Sequence, residues 1–124
     1  MDTTVLSAAA PSPFASLLDL RRAVEQVMDK WERVPGPQSR FTIRGVRDAA
    51  HDRYTLQQLS RPHGLQVANT LAHLEIQGDK IFVEADATEE GIGNELVAVG
   101  IPKNQIVLAF YPPDIREMGD FAVS

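Results

Sequence analysis

The apolar positions of this chain recur first with a helical period and then with a strand period. Leu17, Leu20, Val24, Val27, Met28 and Trp31 follow one another at three- and four-residue steps, which stacks them on one face of a helix. Ser12 stands as an N-cap and Pro13 at the first helical position, where its missing N–H is no loss. Pro35, Gly36 and Pro37 close the element. From Arg40 onward the period shortens. "FTIRGV" and "DRYTLQQLS" read as two strands joined by a turn through residues 47–51, and "RPHG" is a further turn. "LQVANTLAHLEI" is long enough for a third strand, but its apolar residues change sides. Leu65, Val67 and Leu71 share one face and Ala72, Leu74 and Ile76 the other, which predicts either a bulge near Asn69 or cover on both faces. Gly78 and Asp79 turn the chain into "KIFVEAD", where Ile81, Val83 and Ala85 alternate.

The next stretch, "TEEGIGNELVAVGIPK", predicts a second helix. Thr88 is the expected N-cap, Glu89 and Glu90 fall in the first turn where the positive helix end favours them, and Ile92, Leu96 and Val99 line one face. Gly100 and then Pro102 supply the stop. Gly91 and Gly93 remain unexplained by this reading, since each costs roughly 0.5–1 kcal/mol relative to alanine inside a helix. They imply the close approach of another backbone or of a partner surface. "NQIVLAFY" follows as a final strand buried on both sides, stopped by Pro112 and Pro113. The pattern as a whole predicts an α+β fold: an N-terminal helix, an antiparallel sheet of about five strands and a second helix before the last strand. Residues 13–124 form one domain, and residues 1–12, small, apolar and broken by prolines, read as a flexible tail available to a partner. An edge left on so small a sheet predicts self-association, as a dimer.

Composition changes this picture in three places. The absence of cysteine removes thiol chemistry and fits a reducing cytoplasm. The uncharged run at residues 3–18 follows Asp2 rather than a basic residue and is broken by Pro11 and Pro13, so it reads neither as an export signal nor as a membrane span. The net charge of −5 is uneven: residues 37–63 hold Arg40, Arg44, Arg47, Arg53 and Arg61 against Asp48 and Asp52, whereas residues 64–124 hold three basic side chains against ten acidic ones. That balance is wrong for a principal nucleic-acid binder, which presents a net basic face. The arginine strip, residues 40–61, is either a solvated hairpin paired with the acidic remainder or a small DNA-contacting surface.

The chain offers little to catalysis. Glycines at a helix start could cradle phosphate, but Glu89 and Glu90 repel an anion and no Gly-Lys-Ser/Thr occurs. His73, Glu75, Glu84 and Asp86 could meet across paired strands as acid-base groups, or simply lie on a wet sheet margin. The three histidines lack metal-ligand spacing, and Gly-x-Ser-x-Gly is absent. No catalytic residue, metal or cofactor is expected. "FYPPDIREMGDF" differs in kind: Pro112 and Pro113, then Arg116 and Phe121, form a plausible protein-contact surface. Its other reading is a terminus folded back so that Phe121 and Val123 cover the core, and the two readings are compatible.

The sequence from Gly78 to the end, "GDKIFVEADATEEGIGNELVAVGIPKNQIVLAFYPPDIREMGDFAVS", resembles the fdxN element excision controlling factors, the XisI-like family. The likeness rests on Asp79-Lys80-Ile81, Asp86, Thr88-Glu89, Gly91-Ile92, Glu95-Leu96-Val97, Gly100-Ile101-Pro102-Lys103, Ile106-Val107-Leu108, Pro113, Arg116 and Phe121-Ala122-Val123. Asp48, His51, Arg53, Tyr54 and Leu56 are similar to the family's middle strands. Tyr111 stands where the family has histidine and Gly119 where it has threonine, so any chemistry needing that histidine is missing here. The resemblance implies a small cyanobacterial accessory protein without catalytic residues. Such a protein serves the programmed excision of a DNA element from a nitrogen-fixation gene. Its implied partners are a site-specific recombinase and a second controlling factor with a nuclease-like fold.

Overall fold

The computed structural model describes residues 14–34 and 40–124. Helix α1 spans Leu17–Arg33. It begins at Ser16 and not at Ser12, because Ser16 and Asp19 cap each other: the Ser16 hydroxyl accepts the Asp19 N–H and the Asp19 carboxylate accepts the Ser16 N–H, both at 3.1 Å. Ser12, Pro13, the tail at residues 1–12 and the prolines at 35 and 37 lie outside the described residues. Leu20, Ala23, Val24, Val27 and Met28 form the buried stripe of α1, while Leu17, which the period had placed with them, is exposed.

Four strands follow: β1 (Phe41–Asp48), β2 (Arg53–Ser60), β3 (Val67–Gln77) and β4 (Lys80–Asp86). Each pairs antiparallel with the next. Opposite β2, Leu56 pairs with Ala72 and Gln57 with Thr70, which leaves Leu71 as an extra residue in β3. This is the bulge expected near Asn69, and it lets the neighbours Leu71 and Ala72 both be buried. A second bulge sits in β4, where Leu74 pairs with Val83 and His73 with Ala85, leaving Glu84 over. Gly78 makes the intervening turn with φ of +62°, a conformation open to glycine.

Helix α2 (Ile92–Ala98) carries the chain back across the sheet, and β5 (Ile106–Val107) pairs parallel with β4 at Ile81 and Phe82. The last strand is thus two residues long and parallel, where a long antiparallel one was expected. A helical crossover returns the chain in the same direction as the strand it left. The apolar run then turns away at once, the Tyr111 N–H donating to the Leu108 carbonyl at 3.1 Å. Gly100, with φ of +107°, ends α2 as expected. Its N–H donates to the Val97 carbonyl at 3.0 Å and the Ile101 N–H to the Leu96 carbonyl at 3.1 Å, the doubly bonded glycine stop of a helix.

Both helices cover one sheet face. Leu20, Val24, Met28, Ile92 and Leu96 meet Tyr54, Leu56, Leu74, Ile81, Val83 and Ile106 in one core. Two buried polar groups tie this layer together. The Gln105 amide accepts the Ala15 N–H at 2.6 Å and donates to the carbonyls of Ala15 and Asp79 at 3.0 and 2.9 Å. The Glu95 carboxylate receives the Trp31 indole N–H at 3.0 Å and the Lys30 ammonium at 3.3 Å. By the pleat, the opposite sheet face holds Thr42, Arg44, Thr55 and His73, all exposed or half-buried. No described helix is long and apolar enough to cross a membrane.

Candidate functional site

The second helix does not start at Thr88. Its N-cap is Gly91, with φ of +93°, and its first N–H groups are met from the end of β4. Asp86 Oδ2 accepts the Ile92 N–H at 2.7 Å, Asp86 Oδ1 accepts the Thr88 N–H at 2.9 Å and the Thr88 hydroxyl, and Thr88 Oγ1 accepts the Gly91 N–H at 3.2 Å. Glu89 and Glu90 therefore lie in the turn before the helix, exposed. Of the amides that a phosphate cradle would use, those of Thr88, Gly91 and Ile92 are already bonded within the chain.

Gly93 is accounted for by the carboxyl terminus. A Cβ there would stand 2.9 Å from Leu108 Cδ2 and 3.3 Å from the Phe121 ring, closer than packed carbon atoms tolerate. The surface that approaches Gly93 is thus the chain's own terminal segment. Lys103 Nζ lies 5.5 Å from the centre of the Phe121 ring and 3.6 Å from Asp120, while Ala122 donates its N–H to the Ile106 carbonyl at 2.9 Å.

Between Phe110 and Phe121 the chain makes one further helical turn, α3 (Pro113–Arg116), with Pro112 as its N-cap. Pro112 has no N–H to lose and Pro113 sits in the first turn, which is why a helix follows two residues that stop a strand. Arg116 clasps the segment shut. Its Nε donates to the Tyr111 carbonyl at 2.9 Å and a terminal nitrogen to the Val123 carbonyl at 2.6 Å. Of the sequence-predicted contact residues, Pro112 and Pro113 are exposed, Arg116 is half-buried as the clasp and Phe121 is half-buried against the core. The outward-facing apolar side chains are others: Tyr111, Ile115 and Met118, the last 77% exposed. With Leu108 and Phe121 they line a cavity of about 290 Å³. The segment presents apolar surface and a proline turn, and it brings no nucleophile or acid-base pair together.

The acid-base grouping does not assemble. His73 lies on the open sheet face, its ring nitrogens 2.8 Å from Glu75 Oε2 and 2.7 Å from Thr55 Oγ1. Asp86 pairs across the ladder with buried Ala72, on the helix side of the sheet, and Glu84 is exposed on its bulge. The Glu84 bulge breaks the alternation that had put Glu84 and Asp86 together. The hydrogen bond from His73 holds the Glu75 carboxyl below its ordinary range against the opposing pull of partial burial. Among the described residues, no group of three or more histidine and acidic side chains is placed to hold a metal ion.

The arginine strip divides into two sets. Arg47 reaches back to α1, 2.6 Å from Glu25, 3.2 Å from Asp29 and 2.8 Å from Glu32; the bond to Glu32 first, and then that to Glu25, raises its pKa, and the bond from Arg47 lowers that of Glu32. Arg53 lies 4.0 Å from Glu75. Arg40, Arg44 and Arg61 line one cavity together.

Comparison with known proteins bears on this chain as follows. The family described as XisI protein matches residues 15–123. The chain is similar to the crystal structure of the fdxN element excision controlling factor XisI from Anabaena variabilis, with 26% identity and a TM-score of 0.73 over 87% of this chain and 98% of that one. It shares its fold with a XisI-like protein from the same organism, at 19% identity and a TM-score of 0.77 over 88% and 100%. No curated protein matches it.

Proposed function

This chain belongs to the XisI protein family, and from that premise we propose that it is a non-enzymatic controlling factor for programmed excision of a DNA element. It acts by contact with a second excision factor of nuclease-like fold or with a site-specific recombinase. The observation that carries the reading is the clasped terminal segment, where Tyr111, Ile115 and Met118 face solvent around a cavity. Exposed apolar side chains gathered on an ordered segment mark a protein interface. Duplex contact and strand exchange rest with the partner, since this chain carries a net charge of −5 and binds two of its five strip arginines to its own carboxylates. The cytoplasm, where such DNA work is done, is the compartment this reading requires. Self-association belongs to the same reading, because β1 is an outer strand of the sheet; sedimentation of the purified chain as a monomer at all concentrations would remove that part.

The test is co-purification from native extract with identification of what comes along. The wild-type chain is expected to bring a nuclease-like factor or a recombinase, and the double variant Ile115→Asp, Met118→Asp to lose it. Equal capture by the variant, or capture of neither partner by wild type, would refute the proposal.

A further inference from the structure

We infer that Arg40, Arg44 and Arg61 form a binding site for a phosphate group, independent of the carboxyl-terminal contact surface. The register of the first hairpin assembles it. Phe41 pairs with Ser60 and Thr42 with Leu59, so one step beyond the strands Arg40 stands opposite Arg61. The two-residue period then puts Arg40, Thr42 and Arg44 on the same side as Leu59 and Arg61. All three arginines line a cavity of about 250 Å³ at this end of the sheet, with Thr42, Ser60 and Gln66 adding uncharged donors. Among the described residues no carboxylate pairs with any of the three, whereas Arg47 and Arg53 in the same hairpin both have acidic partners.

Like charges facing each other across a ladder are destabilising. Among the described residues none relieves them, so the missing charge belongs to a ligand. A guanidinium presents a planar fork of donors that matches phosphate oxygens two at a time, and three forks around one cavity suit a tetrahedral oxyanion better than a carboxylate with two oxygens. The acidic remainder of the molecule repels a polyanion at longer range, which makes this a local site for one phosphate group and not a track for a duplex. The phosphate is that of a free small molecule or that of a nucleic-acid strand.

Backbone amide shifts of the labelled protein, followed at low salt, distinguish these sources. The probes are inorganic phosphate, a 5′-phosphorylated single-stranded DNA oligomer and an oligoglutamate peptide. Saturable shifts confined to residues around Thr42, Arg44, Ser60 and Gln66 are expected with phosphate or with the oligomer. Arg40→Ala, Arg44→Ala and Arg61→Ala should each weaken binding about tenfold, the worth of one charge-assisted hydrogen bond. Arg33→Ala, which removes an exposed arginine elsewhere, should leave it unchanged. Equal affinity for phosphate and oligomer assigns the site to a small molecule; tighter, salt-sensitive oligomer binding assigns it to a strand. Absence of saturable shifts with both, unchanged titration of the three variants, or equal binding of oligoglutamate overturns the site.

Discussion

The amino-terminal helix and the carboxyl-terminal segment are both fastened to the sheet, yet the first buries an apolar stripe along its length and the second leaves Tyr111, Ile115 and Met118 in solvent. Helix α1 is held by a full stripe of buried residues and by charge pairs between elements. Arg47 binds three carboxylates of α1, and Arg21 pairs with Asp52 at 2.9 Å, Asp52 also accepting the Tyr54 hydroxyl at 3.0 Å. Burial first, and then the bond to Asp52, pushes the Tyr54 phenol up to about 12. The terminal segment has one exposed charge pair in place of that network, Lys103 with Asp120 at 3.6 Å. Arg116 grips backbone carbonyls, which fixes the course of the chain while Ile115 and Met118 stay outside. Side-chain pairing between elements serves stability; a backbone clasp keeps a surface in shape without covering it.

The largest effect that can test this contrast lies in the core. Leu20 is fully buried, so Leu20→Ala is expected to cost about 2–5 kcal/mol in urea unfolding. Ile115→Ala, at a residue 39% exposed, should cost under about 0.5 kcal/mol. Similar costs at the two positions would erase the distinction.

Next in size are the two helix starts. Asp86→Ala removes the acceptor of the Ile92 and Thr88 amides and Ser16→Ala the acceptor of the Asp19 amide. Each is expected to cost about 0.5–2 kcal/mol, but in different places. Hydrogen exchange should speed up in α2 and beside Phe121 for the first, and in the first turn of α1 for the second.

These two starts also show where the sequence could be read and where it could not. The stripe of α1, the hairpin at Gly78 and the bulge in β3 were legible, because a change of period betrays each of them. Ser12 and Ser16 both precede the helical run, and what separates them is the third residue on: Asp19 can answer Ser16, while Ala15 cannot answer Ser12. The start of α2 carries no local signature, since its cap comes from Asp86 at the end of the preceding strand. The final strand misled for a related reason. Hydrophobicity reports that Ile106 and Val107 are buried, but only the crossover decides that they pair parallel and that the chain leaves the sheet at Leu108. At the candidate contact surface the prolines and Arg116 were visible, whereas Ile115 projects from a single helical turn and Met118 from the turn just after it, too short a stretch to show a period.

Acid should separate the two regions more gently. The hydrogen bond from Arg47 holds the Glu32 carboxyl below its ordinary 4.5, and the bond from Arg21 holds that of Asp52 below 3.8. A depressed folded-state pKa means that the unfolded chain takes up protons first, so this stabilisation is complete above about pH 4.5 and is lost as pH falls through the folded values. Unfolding free energy should therefore slope downward below that pH in wild type and slope less in Arg47→Ala. The Arg116 clasp binds carbonyls, which do not titrate, so Arg116→Ala should leave the slope as it is.

The smallest expected change in stability is the most informative about purpose. Met118 projects into solvent, and replacing it by aspartate leaves no buried charge and opens no cavity, so unfolding free energy should move by less than about 0.5 kcal/mol. The same charge set in the middle of an apolar protein interface would be desolvated without a partner, a cost that removes binding. Met118→Asp should thus fold like wild type and fail to hold the partner proposed above. A variant that unfolds would show that Met118 supports the fold, and one that still binds would place the interface elsewhere on the molecule.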